Sequence, residues 1–192
     1  MRRKLVGGVL TLLVGLTLAA AGCGGGGEEG EGSQGSAVAF DRAFIDAVVP
    51  HHESAIEMAK AAKQAGLTQP DLVEIADDII VTQQEEIDRM LEWRKAWYGS
   101  SEIEPGAGEA LSLSDSQMGM MHGAAEELRD AADVDQMFAE MMIEHHQGAI
   151  TMASLALDKA EHDELKDLAE DIVEAQNREI DVMEGHAAGG HS

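Results

Sequence analysis

The stretch Val49-Pro50-His51-His52-Glu53-Ser54-Ala55-Ile56-Glu57-Met58-Ala59 recurs as Ile143-Glu144-His145-His146-Gln147-Gly148-Ala149-Ile150-Thr151-Met152-Ala153. Both copies have the form His-His-x-x-Ala-Ile-x-Met-Ala. The repetition runs well past them. Phe44 upstream recurs as Phe138. Downstream, after a shift of one residue, Asp78, Ile79, Gln83, Glu86, Ile87, Asp88 and Met90 recur as Asp171, Ile172, Gln176, Glu179, Ile180, Asp181 and Met183. Self-similarity of this extent marks the internal duplication of one supersecondary unit.

That unit is a helical hairpin. At about 100° per residue, Phe44, Val48, His51, Ala55, Met58 and Ala62 form one stripe on a helix over 38–65, interrupted by Pro50, which tends to kink it. Leu72, Ile75, Ile79, Gln83, Glu86, Ile87 and Met90 form another over 70–98, with Gly66 as a stop and Pro70 in the first turn. The second hairpin repeats this over 134–160 (Phe138, Met142, His145, Ala149, Met152, Ala156) and 163–185 (Leu165, Leu168, Ile172, Gln176, Glu179, Ile180, Met183). Alternating β-branched runs and hairpin-turn dipeptides are absent after residue 36. The expected fold is therefore all-α: a four-helix bundle of two duplicated hairpins, which bury their stripes against each other. A shorter linking helix is expected over 112–130, started by the capping box Ser114-Asp115-Ser116-Gln117.

The N-terminus reads as an export signal. Met1-Arg2-Arg3-Lys4 precedes an apolar run from Leu5 to Ala21, too short for a membrane span of about 20 residues. Ala20-Ala21-Gly22-Cys23 resembles a bacterial lipobox, which implies cleavage before Cys23 and lipidation of its thiol. Residues 24–36 contain little but Gly, Glu, Ser and Gln and read as a flexible tether. The expected organisation is a lipoprotein signal peptide over 1–22, a lipidated cysteine and tether over 23–37, the bundle over 38–186 and a flexible tail over 187–192. This places the domain at the extracytoplasmic face of a bacterial cell membrane, held through its lipid anchor only. Cys23 is the only cysteine, so an intrachain disulfide is impossible. With 37 acidic and 13 basic residues and a formal net charge of −24, the chain lacks the basic footprint that nucleic acid requires. The charge favours solubility and concentrates cations locally.

The candidate site is the duplicated His-Met set. His51 and Met58 lie seven residues apart, within about 20° on the helix surface, and His52 is turned about 100° to the edge of the stripe. His145, Met152 and His146 repeat the arrangement. One reading is structural: hydrogen-bonded core histidines with methionine as filler. The other is a metal site. Imidazole suits copper, zinc, iron and nickel, whereas thioether is soft and selects copper(I) or silver(I). Met118, Met120, Met121 and His122 form a further soft-donor string, and Met141 and Met142 precede His145 by one helical turn. Histidine-dependent binding is expected to weaken as pH falls through about 6.5. A ferritin-like di-metal centre would need Glu-x-x-His on two helices. Here the residues three before the histidines are Val48, Val49, Met142 and Ile143. Only Glu86 and Glu179 remain for a hard iron site. As an alternative, Gln83, Glu86, Gln176 and Glu179 can accept the free ring N–H of each histidine and fix its tautomer, or act as buried polar pairs that set bundle register.

The repeated motif, the Phe seven residues before it and the Gln-x-x-Glu-Ile of the next helix together resemble the domain of unknown function 305 family, over roughly residues 38–186. The resemblance implies a ferritin-like four-helix fold and an exported protein whose His and Met residues hold copper, or silver, in the envelope. Matched to the motif, the ligands would be His51, His52, Met58, His145, His146 and Met152. Pro50 stands where the second copy has Glu144, so the two halves are not expected to be identical. Two other readings stay open: a di-metal oxidase using Glu86, Glu179 and the histidines, and a metal-free interaction module with pH-sensing core histidines. No catalytic residue is assigned, and neither a zinc nor an iron cargo is excluded by the residues.

Overall fold

The computed structural model describes residues 31–187. The signal peptide, Cys23, most of the tether and His191 lie outside the described residues. Helix α1 spans Glu31–Ala65 and α2 Pro70–Tyr98, and the short helices α3 (Ala107–Leu111) and α4 (Ala124–Arg129) follow. The second hairpin is α5 (Val134–Lys159) and α6 (Asp163–Ala187). No helix among them is long and apolar enough to cross a membrane.

The stripes read from the sequence are the faces that meet. Their apolar members, the four histidines and both glutamines are buried. Helix α1 packs on α2 and α5, α5 packs on α6, and α2 meets α6 through a thinner seam. The order around the bundle is thus α1, α2, α6, α5, with the two histidine-bearing helices adjacent. Helix α1 continues through Pro50 as one assigned helix. It also begins seven residues before the expected start, so the last part of the anticipated tether is helical. Extending an established helix fixes one residue per added hydrogen bond, without the cost of a new nucleus.

Each hairpin caps the other. Asp41, well inside α1, and Asp135, in the first turn of α5, are counterparts in the duplication, and both are buried. Asp135 accepts from the backbone N–H of Thr68 and Gln69 at 2.8 and 3.0 Å and from the Thr68 hydroxyl at 2.6 Å. Asp41 accepts from the N–H of Glu161 and His162, both at 3.0 Å, and from His162 Nδ1 at 2.6 Å. These carboxylates satisfy donors left open where α2 and α6 begin.

The linking segment departs from the expectation of one helix over 112–130. The capping box does form: Ser114 N–H donates to Gln117 Oε1 at 3.0 Å, and Gln117 N–H to Ser114 Oγ at 3.3 Å. Only one turn follows. Gly119 at φ 66° and Gly123 at φ 87° occupy the left-handed region, which ends a right-handed helix. Residues 113–123 instead form a strap that crosses α5, and α4 restarts after Gly123.

Candidate metal centre

The duplication places the histidines in two kinds of position. His51 and His145 face each other where α1 meets α5, with ring centroids 3.7 Å apart and planes tilted by 31°. His52 and His146, one residue on, turn toward the second helix of their own hairpin. His52 Nε2 meets Glu86 Oε2 at 2.8 Å, and His146 Nε2 meets Glu179 Oε2 at 2.5 Å. All four imidazoles have no solvent exposure.

These contacts decide the tautomers. A carboxylate only accepts, so Nε2 of His52 and His146 carries a proton, and in the neutral ring Nδ1 is the bare lone pair. His51 reaches the same state by another route: its Nε2–H donates to the backbone carbonyl of Met118 at 2.8 Å. In none of the three does Nδ1 have a hydrogen-bond partner, and in His145 neither ring nitrogen has one. Leaving a buried polar group unpaired costs about 1–3 kcal/mol. Five such nitrogens lie in one layer of the bundle, and a ligand on their lone pairs would remove that cost. A ring that donates one N–H to a carboxylate or carbonyl and offers its other nitrogen is the usual state of a metal-bound histidine.

Electrostatics keeps the pair at the α1–α5 seam neutral. Burial first, then the neighbouring His52, lowers the His51 pKa to about 3, against the opposing pull of the Met118 carbonyl. Burial, then the neighbouring His51 and His146, holds His145 well below its ordinary value. Protonation near pH 6.5, expected from the sequence, therefore does not reach His51. The donor set suits a soft or borderline ion. Among the described residues no three His, Cys, Asp or Glu side chains are grouped to hold one ion, so the layer is a set of available donors and not a closed cage. A closed-shell ion that accepts two donors makes the least demand on such a layer.

Glu86 and Glu179 take up the ring N–H groups, as one sequence reading expected. Gln83 and Gln176 do not: their Oε1 atoms are buried without a partner. Met58, Met142 and Met152 pack in the hydrophobic core, and Met120, Met121 and Met141 lie partly buried against it. His122 stands apart from the other histidines, its side chain 81% exposed and 3.7 Å from Asp115. Met118 joins the site through its carbonyl, which residue type alone does not suggest. The available signal is a pair of glycines. A Cβ on Gly148 would sit 1.9 Å from the Met118 oxygen, and one on Gly119 would sit 2.6 Å from the Glu144 oxygen. Strap and helix touch backbone to backbone. The first copy has Ser54 in place of Gly148 and carries no such crossing. Gly148→Ala, which in an open helix gains about 1 kcal/mol, is expected here to cost about 1–3 kcal/mol, because backbone cannot yield as a side chain would. Urea denaturation measures it; a stabilised variant would mean that the strap is not seated on α5.

The sequence model of the family described as Domain of unknown function (DUF305) matches residues 41–187. Among solved structures, CopM in the Cu(I)-bound form shares 30% sequence identity, with 79% of this chain and 98% of that chain covered and a TM-score of 0.65. CopM in the Ag-bound form obtained by soaking shares 32% identity over the same shares of the two chains, with a TM-score of 0.64. A DUF305 fragment from Deinococcus radiodurans shares 29%, covering 78% of this chain and 95% of that chain, with a TM-score of 0.65. No curated protein matches the chain.

Proposed function

Because the chain belongs to the DUF305 family, we propose that it is an exported, lipid-anchored protein that binds copper(I), with silver(I) as a soft analogue, for copper handling or resistance in the bacterial envelope. Copper is its cargo. The observation that carries this reading is the layer of four buried imidazoles, in which His52, His146 and His51 rest one ring nitrogen on Glu86, Glu179 and the Met118 carbonyl while five ring nitrogens have no partner. His51, His52, His145 and His146 are the proposed donors; Met58 and Met152 lie about 10 Å further along their helices at 1.5 Å per residue and are not assigned to this layer. Glu86 and Glu179 orient His52 and His146 from behind, which raises the basicity of the donor nitrogen. Support from likeness comes from CopM, solved with Cu(I), Cu(II) and silver. The lipobox at Cys23 supports the anchor, and the net charge of −24 supports a surface that draws cations.

Competitive titration against a chromophoric copper(I) chelator tests the proposal. The mature chain should carry Cys23→Ser, since the thiol would itself bind the ion. Replacing the four histidines by alanine is expected to weaken copper(I) binding at least about 100-fold, equivalent to about 2.7 kcal/mol. An affinity left unchanged by the four substitutions rules the imidazoles out as ligands.

A further inference from the structure

We propose that the cavity between α1 and α4 is a second soft-metal site, in which the thioethers of Met58 and Met121 take a copper(I) or silver(I) ion. The cavity is a groove of about 540 Å³ open to solvent, and Met58, Met121, Glu57, Glu126, Lys60 and Arg129 are among the residues that line it. The two methionines come from unrelated parts of the chain. Met58 belongs to the duplicated motif, seven residues beyond His51 on the same stripe, roughly 10 Å along the helix at 1.5 Å per residue. It is almost wholly buried. Met121 belongs to the strap, outside the duplication, and is partly exposed. Its place is set by Gly119 and Gly123, whose positive φ angles turn the chain on either side of it.

The chemistry of the lining selects the ligand class. Four charged side chains share the lining with the two thioethers, so the cavity does not suit an apolar molecule. Thioethers are poor ligands for magnesium or calcium, which take oxygen, and they select soft monovalent ions. Glu57 and Glu126 supply negative charge for a cation while Lys60 and Arg129 offset it, which favours a single charge over a double one. A thioether carries no proton to displace, so the site needs no deprotonation. This inference rests on the soft-metal reading above but concerns other residues.

Silver(I) titration of the mature Cys23→Ser chain, labelled with 13C at the methionine methyl groups, tests it by NMR alongside native mass spectrometry. The methyl signals of Met58 and Met121 are expected to shift together, while those of the core residues Met90 and Met183 stay in place. Met121→Leu keeps the apolar volume; it is expected to abolish the Met58 shift and to lower the bound silver by one ion. The inference is overturned if Met58 responds equally in Met121→Leu, or if neither methyl moves while silver still loads on the imidazoles. A Met58–Met121 response that survives the four histidine substitutions upholds this site independently of the imidazole one. Silver binding nowhere overturns both.

Discussion

Lowering the pH of the metal-free protein from 7 to 5 is expected to weaken the fold by about 4 kcal/mol through His51 and His145 alone. Both rings have folded-state pKa values pushed far below 6.5 by burial, whereas an unfolded chain protonates them near that value. Between the two values the unfolded state binds protons that the native state refuses. The stability is therefore fully present above about pH 6.5 and is lost as pH falls toward about 3. At pH 5, some 1.5 units below the unfolded value, each ring contributes about 2 kcal/mol at about 1.36 kcal/mol per unit. That figure depends on the unfolded pKa and hardly at all on how far below 5 the folded value lies. An opposing effect is certain in a chain with 37 acidic residues, because protonating carboxylates relieves their mutual repulsion. The clean measure is a difference. Urea denaturation at pH 7 and pH 5, with a chelator present, should show the wild type losing about 4 kcal/mol more than His51→Leu/His145→Leu. Leucine has a similar volume and no titration. Equal losses in the two proteins would mean that the rings accept protons without unfolding, and that the seam between α1 and α5 is wetter than its geometry indicates.

The four long helices and the burial of both His-His doublets were legible in the sequence, because a duplicated hairpin writes its contacts into a short periodic pattern. Phe44, His51 and Met58 point inward for a reason contained within one helix. Gly66, Pro70 and Gly99 end or start helices by local conformational preference. The pairing of Glu86 with His52, and of Glu179 with His146, was legible as an option, since duplicated polar positions in an apolar stripe call for partners. What the sequence left open depends on the crossing of distant segments. Gly119 and Gly148 read separately as a turn residue and a weak helix residue, and only their meeting explains both. The capping box at Ser114 formed, yet local propensity could not say that Gly119 would stop the helix after one turn. The role of Met118 lies in its carbonyl, which every residue has, and so left no mark in the side-chain pattern. Asp41 and Asp135 could be read as ordinary surface acids until the opposite hairpin placed its open N–H groups against them.

Arg94→Met is expected to cost about 3–5 kcal/mol, the largest effect of any single substitution considered. Arg94 is 1% exposed and Asp46 5%. They meet through a two-pronged contact, Nε to Oδ1 at 2.5 Å and Nη2 to Oδ2 at 3.1 Å, while Nη1 donates to the Ser100 carbonyl at 2.7 Å. Asp46 holds the Arg94 pKa above its ordinary value. Forming such a pair contributes little net stability, since both charges leave water, but removing one member strands the other in a medium that cannot solvate it. Among the described residues the other cation paired with Asp46 is Arg42, at 3.8 Å and 39% exposed, too distant and too solvated to replace the fork. Arg94→Lys keeps the charge and loses the planar geometry, so an intermediate loss is expected. Met is close in volume to Arg, and Asp46→Ala removes the charge without adding bulk, so Asp46→Ala/Arg94→Met should recover most of the loss. A double-mutant cycle by urea denaturation at pH 7 reads this directly. Additive costs would show that the two side chains act independently, whereas strong coupling assigns the seam between α1 and α2 to one ion pair. That pair has no counterpart in the second hairpin, where Glu140 and Ala187 stand at the equivalent positions. The first hairpin is thus expected to loosen selectively in Arg94→Met, so that amide exchange rises in α1 and α2 before it rises in α5 and α6.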